Sequence, residues 1–108
     1  MTRINKELLK GSSDILVLAV LRSEPLYGYE IAKRIKAQSK EVLDMGEGTL
    51  YPILHKLEQD GMLRAFWEEA SGRKRKYYQI TRSGEKLITE KMAEWEQYST
   101  AVGHVLKS

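Results

Sequence analysis

Residues 46–61 read Gly46-Glu47-Gly48-Thr49-Leu50-Tyr51-Pro52-Ile53-Leu54-His55-Lys56-Leu57-Glu58-Gln59-Asp60-Gly61. Leu50, Ile53, Leu54 and Leu57 stand at i, i+3, i+4 and i+7, which puts them on one face of an α-helix. Thr49 has a side chain suited to N-capping, and Pro52 is then expected in the first turn, where its missing N–H breaks no hydrogen bond. Gly61 can adopt the left-handed conformation that ends a helix. The face away from the leucines carries Pro52, His55 and Gln59, flanked by Tyr51 and Lys56.

Downstream of Gly61 the hydrophobic period changes from helical to two. Leu63, Ala65 and Trp67 alternate with Arg64, Phe66 and Glu68, and Tyr78 and Ile80 alternate with Tyr77, Gln79 and Thr81. Ala70-Ser71-Gly72 lies between the two runs, so the segment reads as a β-hairpin. Its tip and returning strand carry Arg73-Lys74-Arg75-Lys76, the only run of four basic residues in the chain. Thr81-Arg82-Ser83-Gly84 then opens a last helix that reaches nearly to the C-terminus.

Upstream, residues from about Lys6 to Arg22 form a helix whose second half, Ile15 to Leu21, is apolar on all sides and needs cover from other elements. Ser23-Glu24-Pro25 ends it. A second helix is expected from Tyr27 to Ser39, with Ile31 and Ile35 on its buried face and Gly28 permitting a close approach near its start.

In the last helix Ile88, Met92, Trp95, Ser99, Val102 and Leu106 follow spacings of 4, 3, 4, 3 and 4, the seam of a helix packed lengthwise on another. The stripe is too short to define a coiled coil by itself. It could pack on its own domain, but a partner helix is the preferred reading because the preceding elements already supply helices for a core.

The whole chain of 108 residues has the size of one domain, with 42% hydrophobic and 31% charged residues, an ordinary globular composition. It has no cysteine, which removes disulfides and thiolate chemistry and fits a reducing, cytoplasmic setting. No apolar run approaches the roughly 20 residues of a membrane span, and the Ile15–Leu21 run lacks the flanks of a signal peptide. The net charge of +3 is too small to imply nucleic acid without the clustered basic run. His55 and His104 are the only histidines and have no metal-ligand spacing around them, and no phosphate-cradling glycine loop occurs. The expectation is therefore a protein that is not an enzyme, with no cofactor and no metal.

Helix, helix, helix, hairpin, helix is the order of a mainly α (α+β) winged helix-turn-helix with an added C-terminal dimerisation helix. On this reading residues 1–81 form the winged unit and residues 82–108 the added helix, together one structural unit. A helix about 10–12 Å across fits the major groove of B-DNA, and basic side chains supply phosphate attraction. The competing reading is a winged helix used as a protein-interaction module without specific DNA binding. Such a module needs neither a basic wing nor polar groups on the third helix's outer face, and this chain has both.

The stretches Leu26-Tyr27-Gly28-Tyr29-Glu30-Ile31, Gly46-Glu47-Gly48-Thr49-Leu50-Tyr51-Pro52-Ile53-Leu54, Leu57-Glu58-Gln59-Asp60-Gly61 and Arg75-Lys76-Tyr77-Tyr78-Gln79-Ile80-Thr81-Arg82-Ser83-Gly84 together closely resemble the PadR family of transcriptional regulators. The short C-terminus is similar to the branch with a single C-terminal helix. The resemblance implies a two-fold homodimer, usually a repressor, on a pseudo-palindromic double-stranded DNA operator, with the helix from Gly48 to Asp60 in the major groove. It implies base and phosphate contacts from Thr49, Tyr51, His55 and Lys56 and backbone contacts from Tyr29 and Lys33. From the wing, Arg73, Lys74 and Arg75 would reach phosphates or the adjacent minor groove. Ile88, Met92, Trp95, Val102 and Leu106 form the expected dimer seam.

Trp95 is followed on the seam by Ser99, small and polar where a leucine would close the packing. A slot between two Trp95 indoles is the expected result, and it resembles the multidrug-responsive members of that family that hold flat aromatic compounds between paired tryptophans. By that resemblance Leu8, Ser12 and Ile15, with Met92, Trp95 and Ser99, line an effector site. Asp14 and Glu96 are the acidic groups available to favour a cation there.

Overall fold

The computed structural model describes residues 4–108, so the first three residues of the expected 1–81 unit lie outside the described residues. The element order is α1 (Lys6–Val20), β1 (Leu26–Tyr27), α2 (Gly28–Gln38), α3 (Glu47–Gln59), β2 (Leu63–Ala70), β3 (Arg73–Ile80) and α4 (Arg82–Lys107). The three strands form one antiparallel sheet in the order β1-β3-β2. This is a winged helix-turn-helix in the α+β class with one added helix.

α1 starts at Asn5, whose side-chain oxygen accepts from the Glu7 backbone N–H at 2.7 Å. It ends at Val20, two residues before the expected Arg22, because the chain tightens into the turn through Arg22 N–H to the Ala19 carbonyl at 3.3 Å. Val17, Leu18 and Leu21 are fully buried, and α2, α3 and α4 all pack against α1. The all-round apolar segment has the cover it needs.

The core is completed by Ile31 and Ile35 from α2, Leu50, Leu54 and Leu57 from α3, and Leu63, Tyr78 and Ile88. Ser13 is buried among them with its hydroxyl donated to the Leu9 carbonyl one turn back, so no bare polar group enters the core.

Two boundaries around α2 and α3 also differ from the sequence expectation. Tyr27 is not in α2: it is extended, with φ −91° and ψ 166°, and pairs with Tyr77 as Leu26 pairs with Tyr78. Two residues give too little local signal to register as a strand, and the edge of β3 decides their conformation. Thr49 is not the N-cap of α3: extended Gly46 is, and its carbonyl accepts from Leu50 N–H at 2.9 Å. Thr49 is therefore the third helical residue and Pro52 lies in the second turn. The Gly48 carbonyl loses its helical donor there, but Gly48 and Pro52 are both exposed, so water can serve it.

At its far end α3 stops as expected. Gly61 has φ +78°, its N–H bonds the Glu58 carbonyl at 3.1 Å, and the Met62 N–H bonds the Leu57 carbonyl at 2.9 Å. That pair of bonds is a Schellman motif, which needs a left-handed residue at its centre.

The hairpin closes through Ser71-Gly72, both with left-handed φ (53° and 76°), as a two-residue turn matched to the strand twist requires. Ala70, expected in the turn, is the last residue of β2 and pairs with Arg73.

α4 begins on Thr81, whose hydroxyl oxygen accepts from Gly84 N–H at 3.1 Å and lies 2.7 Å from the Gly61 carbonyl and 3.0 Å from that of Met62. Gly84 is held against the Met62 carbonyl so closely that a Cβ there would overlap it. The first part of α4 packs on α1, and the rest extends away from the body. The radius of gyration is accordingly 15.0 Å with a long axis of 56 Å, against about 13 Å for a compact chain of this length.

Two glycines give opposite expectations. Gly84→Ala should lower stability by about 1–3 kcal/mol, because the obstructing atom is backbone. Gly48→Ala, with open space around the added methyl, should raise stability by up to about 1 kcal/mol through helix propensity. Urea unfolding of both variants at one protein concentration checks the contrast; equal midpoints would contradict the close packing at Gly84.

Candidate nucleic-acid interface

The leucine face of α3 is spent on the core, which leaves Tyr51, Pro52, His55, Lys56 and Gln59 exposed on its outer side. Thr49 is half-buried at the helix start. Tyr51 is 44% exposed, and its ring lies over the start of α2, where a Cβ on Gly28 would come within 2.6 Å of the Tyr51 hydroxyl. The close approach expected at Gly28 is thus made by a side chain of α3. Tyr51 helps fix the angle between the two helices while keeping part of its surface free.

On α2, Tyr29 and Lys33 are both exposed one turn apart, with the Lys33 ammonium 5.9 Å from the Tyr29 ring centre. Strand alternation splits the basic run of the wing into two faces. Arg73 and Arg75 share the outer face of the sheet with Tyr77, whereas Lys74 and Lys76 share the other face with buried Tyr78. Lys76 reaches the Glu58 carboxylate on α3 at 3.3 Å, tying the wing to that helix. Burial disfavours the Lys76 ammonium, but Tyr78 and Glu58 outweigh it and lift its pKa above the usual lysine value. Lys76 therefore braces the interface, and Arg73 and Lys74 are the exposed cations near the tip. Glu68 and Glu69 stand opposite Arg75 and Lys74 in the register and temper the local charge.

Arg75 is not free. Its guanidinium lies over the Tyr27 ring, 4.5 Å from the centroid. Tyr27 belongs to a row of aromatic rings across the outer sheet face that the sequence reading did not select. Phe66 and Tyr77 did stand on the polar side of the hairpin alternation, where aromatic residues are out of place, and that was the available signal. Trp67, expected inward with Leu63 and Ala65, is 65% exposed, because the wing extends past the core at its position.

The candidate effector residues lie on α1 and α4. Leu8 is exposed, Ser12 is half-buried with its hydroxyl 3.3 Å from the Leu8 carbonyl, and Ile15 is packed against the core. Met92 is exposed and its sulfur sits 3.3 Å from the Arg22 guanidinium. Trp95 is 51% exposed beside Tyr98, ring centres 6.3 Å apart, and the Ser99 hydroxyl faces its own helix at the Glu96 carbonyl, 3.3 Å away. A groove of about 910 Å³ between α1, α3 and α4, lined by Gly11, Gly48, Pro52, Lys56 and Leu87 among others, includes none of these six. Asp14 pairs with Lys91 at 3.5 Å, so its charge is already answered within the chain.

Among the expected dimer residues, Ile88 is a correction. It is 0% exposed in the single chain, locked in its own core, and has no surface to offer a partner. Met92, Trp95 and Leu106 are exposed along the projecting part of α4 and Val102 is half-buried there, with Tyr98 and Val105 as further exposed apolar groups. Among the described residues no cluster of His, Cys, Asp or Glu is arranged to hold a metal ion.

Comparison with known proteins agrees with this architecture. The pattern of the transcriptional regulator PadR-like family matches residues 17–90. A transcriptional regulator from Clostridium thermocellum, Cth-833, superposes with a TM-score of 0.84 at 32% identity, over 91% of this chain and 96% of that one. A PadR family transcriptional regulator from Eggerthella lenta DSM 2243 gives 0.83 at 34% identity, over 94% and 88%. Transcriptional regulator Rv3488 of Mycobacterium tuberculosis is 40% identical over 55 residues, 51% of either chain. Proteins of this kind regulate transcription and are not enzymes. By the match through its core, third helix and wing, the chain belongs to the PadR-like family of transcriptional regulators.

Proposed function

We propose that the protein is a cytoplasmic repressor that binds a pseudo-palindromic DNA operator as a homodimer. The observation that carries this reading is the outer face of α3, polar and exposed, braced by the Lys76–Glu58 pair beside a wing with exposed Arg73 and Lys74. In this account α3 enters the major groove with Thr49, Tyr51, His55 and Lys56 toward bases and nearby phosphates. Tyr29 and Lys33 on α2 meet the backbone, and Arg73, Lys74 and Arg75 meet phosphates or the edge of the minor groove. Among the described residues no helix is long and apolar enough to cross a membrane.

Two chains pair through α4. Its projecting part exposes Met92, Trp95, Tyr98, Val105 and Leu106, a row of apolar side chains too large for a surface in water. Residues 82–108 thus act as the dimerisation element and the preceding winged unit as the reader of DNA.

A second reading concerns regulation, and the half-exposed Trp95 followed by Ser99 favours it. In the dimer the two indoles bracket a slot for a flat aromatic effector, lined also by Leu8, Ser12, Ile15 and Met92. With Asp14 held by Lys91, Glu96 is the acidic group left to attract a cation. Binding that suits a dimer geometry poorly matched to DNA lowers DNA affinity, and DNA lowers effector affinity by the same factor.

Enrichment of a random duplex library on the full chain tests the main reading. An inverted repeat is the expected product, and a pool that stays random would contradict it. On the enriched duplex, joint replacement of Lys74 and Arg75 by alanine should flatten the dependence of affinity on salt by about two phosphate contacts. An unaltered slope counts against wing–phosphate contact. Trp95→Ala, assayed at a protein concentration where sedimentation shows it dimeric, should abolish release of the duplex by flat aromatic cations in an anisotropy assay; undiminished release would remove the effector site.

A further inference from the structure

The outer face of the sheet carries three aromatic rings in register. Tyr27 on β1 stands directly opposite Tyr77 on β3, which stands directly opposite Phe66 on β2. Tyr77 and Phe66 are stacked at 5.7 Å with 12° between planes, and Tyr27 meets Tyr77 edge-on at 5.6 Å. At the β1 end the row continues onto α2, where Tyr29 stacks on Tyr27 at 6.3 Å. Two arginines lie on it: Arg75 over Tyr27 at 4.5 Å and Arg64 over Phe66 at 6.0 Å. Arg64 also donates to Gln79 beside it.

Cross-strand aromatic pairs stabilise a sheet wherever they occur. That accounts for Phe66 and Tyr77. It leaves unexplained why β1, only two residues long, ends in a tyrosine whose ring face is given to a wing arginine. Arginine is flexible, and an unrestrained guanidinium on a strand loses side-chain entropy when it settles on a phosphate. A guanidinium lying flat on a ring keeps its charge and its edge donors while losing much of that freedom in advance.

We infer that Tyr27 is a positioning residue for DNA binding: its ring holds Arg75 in place for phosphate contact and, through its stack with Tyr29, fixes the wing relative to the start of α2. The inference rests on the DNA-binding reading above. Tyr27 itself touches no DNA in this account. Its role is to join two contact groups, Tyr29 and Arg75, that lie on different elements and far apart in sequence.

The test is a salt series of affinities on the enriched duplex, read by fluorescence anisotropy, for the full chain and four variants. Arg75→Ala should flatten the slope by about one. Tyr27→Leu should flatten it by the same amount, and the double variant should be no flatter than Arg75→Ala alone. Tyr27→Phe, which keeps the ring face, should retain the wild-type slope. A wild-type slope in Tyr27→Leu, a Tyr27→Phe as deficient as Tyr27→Leu, or a double variant flatter than either single one would each overturn the inference. So would an unchanged slope in Arg75→Ala, with DNA binding itself left standing. Failure of the wild-type chain to bind any duplex would instead remove the DNA-binding reading and the inference with it. Thermal midpoints by circular dichroism confirm that each variant is folded. If Tyr27→Leu is not, Arg75→Lys decides: it keeps the charge without the stacking on Tyr27, so affinity and slope must both fall as in Arg75→Ala, and a wild-type slope overturns the proposal.

Discussion

The joint between residues 61–62 and 81–84 sets the geometry of everything around it. Gly61 and Met62 end α3 and start β2; Thr81 and Gly84 end β3 and start α4. One threonine hydroxyl, the Met62 carbonyl accepting the Thr81 N–H at 3.1 Å, and a glycine with no room for a methyl hold these four elements at a single point. The two strands of the wing leave this joint in register, Leu63 opposite Ile80. α3 ends there and the long last helix departs from there. A change in the direction of α4 therefore cannot occur without strain on the end of α3.

That constraint gives the proposed regulation a physical route. If two chains pair through the projecting part of α4, the separation and tilt of the two α3 helices follow from how the α4 helices cross. A ligand wedged between the two Trp95 residues, as proposed, would act on that crossing. No long chain of coupled residues is needed, because α4 and α3 share the joint. The Lys76–Glu58 pair and the Tyr27–Arg75 contact hold the wing to the body on the other side, so that both parts of the proposed DNA surface move as one.

Much of this was legible in the sequence because it is local. The leucine spacing in α3, the alternation of the hairpin, the turn placed at Ala70-Ser71-Gly72 and the helix start at Thr81-Arg82-Ser83-Gly84 are short-range patterns, and short-range energetics decide them. The elements missed are those that distant partners decide. β1 exists because the edge of β3 is available to Leu26 and Tyr27. Gly46 rather than Thr49 caps α3 because the backbone there is already extended and its carbonyl is in place. Ile88 fits the heptad spacing perfectly well, but α4 meets α1 before it leaves the body, so the first position of the stripe is used by the chain's own core. In the candidate site the exposed groups of α3 and the tip of the wing were readable, whereas the split of the basic run into two faces becomes consequential only when Glu58 and Tyr27 are seen to claim Lys76 and Arg75.

The proposed reading of DNA by two chains depends on their pairing through α4. Sedimentation of the wild-type chain and of a Val102→Glu/Leu106→Glu variant, each alone and with the enriched duplex, addresses it directly. The expected results are a wild-type dimer that loads two chains per duplex and a folded monomeric variant that loses tight binding. A variant that remains dimeric, or a single chain that occupies the duplex with wild-type affinity, would contradict it.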